Sequence, residues 1–392
     1  MNYQKIHGAG VSRMLFYLTV LPGLFLASCL FAFGEKAETI SFRVGDEGEE
    51  KSLDHWGVDA TWLNMHNARF TERNAGDLVD YVRIGFFLHE PYEDDGDLSD
   101  GQIEKIDASL EFVDLIKRRL PVKLSPNNLH KISNWYKEPD GGANVDRWYH
   151  VMEKTREYVE KKKHEVVLLE PFNEPDWKKW NMGQADDLDK ILKKCKDWDV
   201  PRCGPSTLST TPVKKWYGEI RRNVEYGGTH TLGGTMREYI DFIKRVHRDR
   251  RKFVNPEAHS LVEAIVGIEH GIESVCWWDQ VNVERAAFMR ACLGKRLAYV
   301  AVEENWSAAC VYRDPKGLMH GFASTNERSN GVTTSYHFVC EDKDVTYYID
   351  GERKNGVFRK RGEPFELVAL KKDDRGNDKS EITKWVTIRP KR

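Results

Sequence analysis

Charge of one sign is missing from this chain: 60 lysines and arginines face 62 aspartates and glutamates, for a formal net charge of −2 at pH 7. Nucleic-acid binders concentrate cations on one face, so this balance argues against DNA or RNA as a partner. Cysteine is also scarce. Of seven in 392 residues, Cys29 sits in an N-terminal apolar run, and the other six are scattered with no CxxC pair and no Cys/His cluster at zinc spacing. This argues against a structural metal site, and buried free thiols are expected, even for Cys310 and Cys340, which a strand pairing could bring together. There is no phosphate-binding glycine loop, no internal repeat and no low-complexity tract. A second long apolar run is absent too, so the body of the chain is expected to be soluble.

The one such run, Met14 to Phe33, follows Lys5 and Arg13 and precedes small residues, the pattern of an export signal over residues 1–34. Leu26 to Cys29 reads "LASC", a bacterial lipobox, while Ala32 and Gly34 suit ordinary cleavage before Glu35. A retained anchor is a third reading, interrupted by Pro22 and Gly23. Export to the periplasm, outer membrane, cell surface or medium is expected, with membrane contact only through a lipid on Cys29.

Aromatic residues are plentiful. Several of the twelve tryptophans stand beside Asp, Asn or Gly, as in "SNWYKEPDGG" and "PDWKKWNMG". Rings placed so suit sugar faces or partner surfaces.

From His55 onward, strand-like segments alternate with helical ones. The strands read "WGVDATW" (56–62), "YVRIGFF" (81–87), "LPVKLS" (120–125), "EVVLLEPF" (165–172), "PRCGPST" (201–207), "EYGGTHT" (225–231), "KFVNPE" (252–257) and "SVCWW" (274–278). Between them, Ile103, Ile106, Leu110, Val113 and Ile116 share one helical face. So do Trp148, Val151, Met152, Thr155, Tyr158 and Val159, and so do Met236, Ile240, Ile243 and Val246. Eight alternations predict a (β/α)8 TIM barrel over residues 48–295. The runs "KRR", "EKKKHE" and "RDRRK" fall at helix ends, where cations complement the dipole. Beyond Cys292, turn-bounded β segments predict a small all-β, sandwich-like domain over residues 296–392.

Barrel chemistry sits where strands end. Asn173 and Glu174 close the fourth strand and Glu257 closes the seventh, aiming two carboxylates at one mouth. Each motif alone also reads as a helix start, with Asn as N-cap, Pro in the first turn and acids near the positive end of the dipole. Together at the ends of strands four and seven they read as an acid and a nucleophile for glycosidic-bond hydrolysis. Arg83 in strand two can order the nucleophile, and His230 in strand six can bond it or the sugar. Trp277 or Trp278, closing strand eight, can floor a subsite, the other pointing into the core or towards the helices.

The strand order of Arg83, Asn173-Glu174-Pro175, His230, Glu257 and Trp277 or Trp278 resembles clan A glycoside hydrolases, retaining enzymes on (β/α)8 barrels. That resemblance implies Glu174 as acid/base and Glu257 as nucleophile. More narrowly, "WGVDATW", "EPFNEPD", "GTHTLGG", "VNPEAHSLVEAIVGIEHGIESVCWW" and "AACVYRDPKG" are similar to family 86, the β-agarases and β-porphyranases, over most of residues 55–350. Two departures stand out: the β portion after the barrel is short for that family, and His230 stands where many clan members have Tyr. Glu263, Glu269, Glu303 and Glu304 rank below Glu257, being on the following helix or beyond strand eight.

The resulting expectation is an exported, monomeric, endo-acting retaining glycosidase that cuts agarose or porphyran without a cofactor. Asp176, Trp177, Trp135 and Tyr136 are expected as subsite walls, and Arg83, Lys123 or Lys131 as contacts for sulfate. The alternatives are a hydrolase of another β-glycan (xylan, mannan or glucan) and a surface lipoprotein that binds glycans without cutting them.

Overall fold

The structure, a computed structural model, describes residues 37–60, 63–127, 131–351, 354–371 and 385–391; the export-signal and lipobox readings lie outside them. Two short strands, β1 (Glu38–Phe42) and β2 (Glu49–Glu50), come first. Eight parallel strands follow: β3 (His55–Asp59), β4 (Tyr81–Phe86), β5 (Val122–Pro126), β6 (Val166–Leu169), β7 (Cys203–Ser209), β8 (Tyr226–Gly233), β9 (Lys252–Ala258) and β10 (Ser274–Trp277). Each matches a strand expected from the sequence. Their order is β6-β5-β4-β3-β10-β9-β8-β7, and a parallel bridge between Leu169 and Arg202 joins the two ends. The ring is a (β/α)8 barrel.

Each strand feeds a helix: α1 (Met65–Ala75), α2 (Asp100–Ile116), α3 (Val145–Lys161), α4 (Ala185–Lys194), α5 (Thr210–Ile220), α6 (Met236–Arg248), α7 (Leu261–Glu269) and α8 (Val283–Ala291). Helix α6 shows the local logic. Thr235 and Glu238 form a reciprocal capping box, Met236, Ile240, Ile243 and Val246 are buried along one stripe, and Arg245, His247 and Arg248 occupy the last turn.

Neither acidic motif is a helix start. Asn173 to Pro175 lie in a run of turns well before α4, whose N-cap is Gln184. Asn255 to Glu257 lie inside β9, and α7 begins only after Ser260, whose backbone N–H is held by Glu263 Oε1 at 2.8 Å. The helix-cap reading of both motifs is corrected accordingly: strand and turn geometry, not capping, positions these residues.

The remaining strands are β11 (Lys295–Val302), β12 (Ser307–Arg313), β13 (Met319–Thr325), β14 (Thr334–Cys340), β15 (Val345–Ile349), β16 (Val357–Arg359), β17 (Pro364–Ala369) and β18 (Val386–Pro390). They form a seven-stranded sheet, β16-β15-β18-β13-β12-β11-β2, and a three-stranded one, β1-β14-β17. Both sheets therefore recruit chain from before the barrel, which the boundary drawn at residue 296 leaves out. Alternate residues of β12 serve two cores: Ala308, Cys310 and Tyr312 join the barrel cluster, while Ala309 and Val311 join that of the sandwich. Phe288 of α8 meets the first set edge-on, 5.9 Å from Tyr312 and 5.2 Å from Phe322. Cys310 and Cys340 fall in different cores, and the six described cysteines are all free and buried.

Candidate active site

The barrel strands carry ionised side chains where the sequence would otherwise be apolar. Asp59, Arg83 and Lys123 are register partners across β3, β4 and β5. A buried charge is costly unless it is paired, and each of these is. Arg83 Nη1 donates to Glu257 Oε2 at 2.6 Å and to Asp59 Oδ2 at 3.2 Å; its Nη2 donates to Ser125 Oγ at 3.0 Å and to Asn173 Oδ1. Lys123 pairs with Glu170, and both are fully buried.

Glu174 follows β6 with a φ of +54°, a left-handed conformation uncommon outside glycine. Its backbone N–H donates to Ser206 O at 2.8 Å, tying the end of β6 to β7. One carboxylate oxygen accepts from Trp180 Nε1 at 2.9 Å, and the other lies 3.3 Å from His230 Nδ1. The same His230 nitrogen is 3.8 Å from Glu257 Oε2, and its Nε2 is 4.0 Å from Glu170. Glu257 Oε1 meets His259 Nε2 at 3.1 Å. One side-chain ligand atom from each of Glu174, His230 and Glu257 lies within 4.8 Å of the other two.

Burial favours the neutral forms of Glu257, His230 and Glu170, and their charged neighbours outweigh it. Burial alone would raise Glu257, but His230, Arg83 and His259 hold it well below the usual carboxylate range. For His230, Glu257, Glu170 and Glu174 overcome desolvation and carry it up to about 10. Glu170 is held far down, as Lys123 and Arg83 oppose its burial. These directions bear on metal binding. The Glu174, His230 and Glu257 trio has a spacing that can hold an ion, yet a ligating imidazole must be neutral, and the acids around His230 favour its charged form. Arg83 also already occupies Glu257, so the trio fits a buried ion-pair network better than a cation site.

Of the residues picked out from the sequence, Arg83, Asn173, Glu174, His230 and Glu257 converge. The two tryptophans separate. Trp277 is fully buried, stacked on Trp56 at 5.6 Å, on the side of Phe288 and α8. Trp278 turns to the mouth and stacks on His259 at 4.6 Å. Trp277 is therefore corrected from subsite floor to core, because it is the in-strand residue facing the helix layer. Arg285 fixes this corner, donating to the carbonyls of His259, Trp278 and Gln280 while its guanidinium covers the Trp277 ring.

Five further residues depart from their expected places. Asp176 accepts from the backbone N–H groups of Leu208 and Ser209 at 2.6 and 3.1 Å, bracing the end of β7. Trp135 is held by Tyr92 edge-on and by Arg147 over its face, and Tyr136 is buried. Arg83 and Lys123 are buried in the barrel, beyond reach of a sulfate, while Lys131 is exposed. Trp177 remains an open ring, 39% exposed, edge-on to Trp180. Replacing Asp176 with alanine is expected to cost about 1–3 kcal/mol in chemical denaturation, by stranding two backbone donors; a weakened substrate KM with unaltered stability would return it to the substrate wall.

Glu170, Asp59, His259, Trp180 and Glu327 were not picked out. A signal existed for the first two: with Arg83 and Lys123 they are charges within or at the end of four consecutive strand segments, and such charges must find partners inside the barrel. His259 and Glu327, 3.4 Å apart, depend on packing of the sandwich against the barrel, which no local pattern encodes. Beside them a cavity of about 580 Å³ opens, lined among others by Phe70, His259, Trp278, Glu327 and Trp385.

No protein-family model and no curated protein matches this chain. Solved structures do. A GH30 endoxylanase from Clostridium papyrosolvens superposes with a TM-score of 0.55 at 10% identity, over 90% of this chain and all of its own. A GH51 arabinofuranosidase from Xanthomonas axonopodis pv. citri gives 0.48 at 10% identity, over 91% and 100%. The first likeness establishes the fold: a (β/α)8 barrel with an accessory β region.

Proposed function

We propose that this chain is a retaining glycoside hydrolase. The observation that carries the proposal is the approach of a Glu174 oxygen to within 4.8 Å of a Glu257 oxygen at the barrel mouth. Retaining enzymes set their carboxyl groups about 5–5.5 Å apart, whereas inverting ones leave about 6.5–9.5 Å for a water.

Glu257, kept ionised by Arg83 and the two histidines, is the nucleophile. It attacks the anomeric carbon as the bond to the leaving oxygen breaks, and that oxygen takes the proton of Glu174. A water then gives a proton to Glu174 and attacks the same carbon, releasing Glu257. Asn173, its amide set by Arg83, is the donor to the hydroxyl beside the reacting carbon. Trp278 and Trp177 supply rings for sugar faces. A β-linked galactan, agarose or porphyran, is the substrate, supported by the family-86-like segments around Glu174, His230 and Glu257. Export belongs to the same reading, supported by the signal-like N-terminus.

Reducing-end release on agarose, porphyran, xylan, mannan and glucan, with the first-formed anomer read by proton NMR, tests this. Release of the β anomer from one galactan is expected. An α anomer, or binding without release on every glycan, overturns the hydrolase as stated, and release from another β-glycan alone overturns the galactan. Trp180→Phe keeps the ring but removes the donor to Glu174, and kcat should fall roughly tenfold, the equivalent of one hydrogen bond. An unchanged kcat in steady-state assays would count against that contact in catalysis.

A further inference from the structure

His230 lies within 4 Å of both carboxylates, and the double-displacement scheme above uses it only to keep Glu257 ionised. Its Nδ1 is 3.3 Å from Glu174 and 3.8 Å from Glu257, and its other nitrogen points down the barrel to Glu170. No part of the ring is exposed. Glu170 in turn is clamped by Lys123 and lies 3.6 Å from Arg83 Nε. These six groups come from five strands or strand ends: Arg83 from β4, Lys123 from β5, Glu170 and Glu174 from beyond β6, His230 from β8 and Glu257 from β9.

We propose that His230 is a fixed imidazolium pivot for both catalytic carboxylates, and that buried Glu170 is the positioning residue that locks it in that state. The inference rests on the glycosidase reading and concerns how one charge is managed through its two steps. Before the glycosidic bond breaks, Glu257 is anionic and Glu174 carries a proton. Once the glycosyl ester has formed, Glu257 is neutral and Glu174 is anionic. One negative charge has thus moved from Glu257 to Glu174, and the same His230 nitrogen, within 4 Å of both, faces it before and after. A cation so placed needs no reorganisation between the steps, the condition under which a preorganised group stabilises a transition state best.

Glu170 makes this possible because it cannot take part in the chemistry itself. It is fully buried beneath the site, and its negative charge is constant, so His230 stays protonated while Glu174 and Glu257 exchange theirs. Lys123 balances Glu170 and keeps the barrel interior from accumulating uncompensated anions. A neutral imidazole could not face Glu170 with one N–H and the two catalytic carboxylates with another, since it donates from one nitrogen only.

The test is nitrogen-15 NMR of histidine-labelled protein, with the His230 signal assigned by its loss in His230→Asn, alongside pH profiles of kcat/KM. In the wild type the ring should show imidazolium shifts with no titration from about pH 5 to about pH 9. Glu170→Gln combined with Lys123→Met removes both buried charges together, leaving no stranded cation to unfold the barrel. In that variant His230 should titrate inside the same window, and the alkaline limb of kcat/KM should move towards acid by roughly one pH unit or more. Glu170→Asp should restore most of the wild-type profile. A variant whose His230 stays charged throughout, or whose kcat falls equally at every pH, overturns the lock. A wild-type protein that cleaves no glycan overturns the glycosidase reading instead, and the NMR arm still decides the lock alone.

Discussion

Replacing Glu257 with alanine is expected to lower kcat by on the order of 10⁴-fold or more, and replacing Glu174 with alanine by roughly 10²–10⁴-fold. The difference follows from the roles proposed for them: without a nucleophile no glycosyl ester forms, whereas without the proton donor a good leaving group can still depart. Azide separates the two roles. Added to Glu174→Ala with an activated aryl glycoside, it should attack the ester and give a β-glycosyl azide; added to Glu257→Ala, it should enter the vacated nucleophile site and give the α product. The same anomer from both variants, or no rescue in either, would contradict the assignment. Double replacement should cost little more than Glu257→Ala alone, because the two groups act as one unit.

The second large effect concerns stability. Arg83→Met removes a fully buried guanidinium that contacts Glu257, Asp59, Asn173 and Ser125. Breaking a buried ion pair by deleting one partner typically costs about 3–5 kcal/mol, since the remaining charge stays in low dielectric. A loss of that size in chemical denaturation is expected, with kcat falling alongside as Glu257 loses the donor nearest to it. Arg83→Lys should recover only part, because an ammonium lacks the planar fork that reaches several acceptors at once. A midpoint unchanged in the methionine variant would mean the network is less coupled than its distances imply.

How far these features could be read beforehand depends on the range of the interaction that encodes them. The barrel was legible because each strand and helix carries its own period: "YVRIGFF" needs no partner to look like a strand. Glu174 and Glu257 were legible because strand count places them. The two adjacent tryptophans were not, since a side chain's face depends on where the strand stops, and β10 ends at Trp277 with Trp278 just beyond it. Asp176 looked like a substrate contact because an acid beside a catalytic motif carries no mark of the backbone donors that reach it from residues 208 and 209. The role of His259 was invisible for a similar reason: its partner Glu327 arrives from the sandwich.

The strands β1 and β2 make the barrel an insertion within the sandwich, so the two parts are joined by two chain crossings instead of one. Rotation of one part on the other is then confined to an axis through both crossings, and a hinge of the single-linker kind has no place. The closure entropy of such an inserted segment grows only as the logarithm of its length, each doubling costing about 0.6 kcal/mol. Lengthening the loops around the carboxylates therefore hardly taxes the sandwich that holds both ends, and the mouth of the barrel can be reshaped by insertion while its frame stays closed.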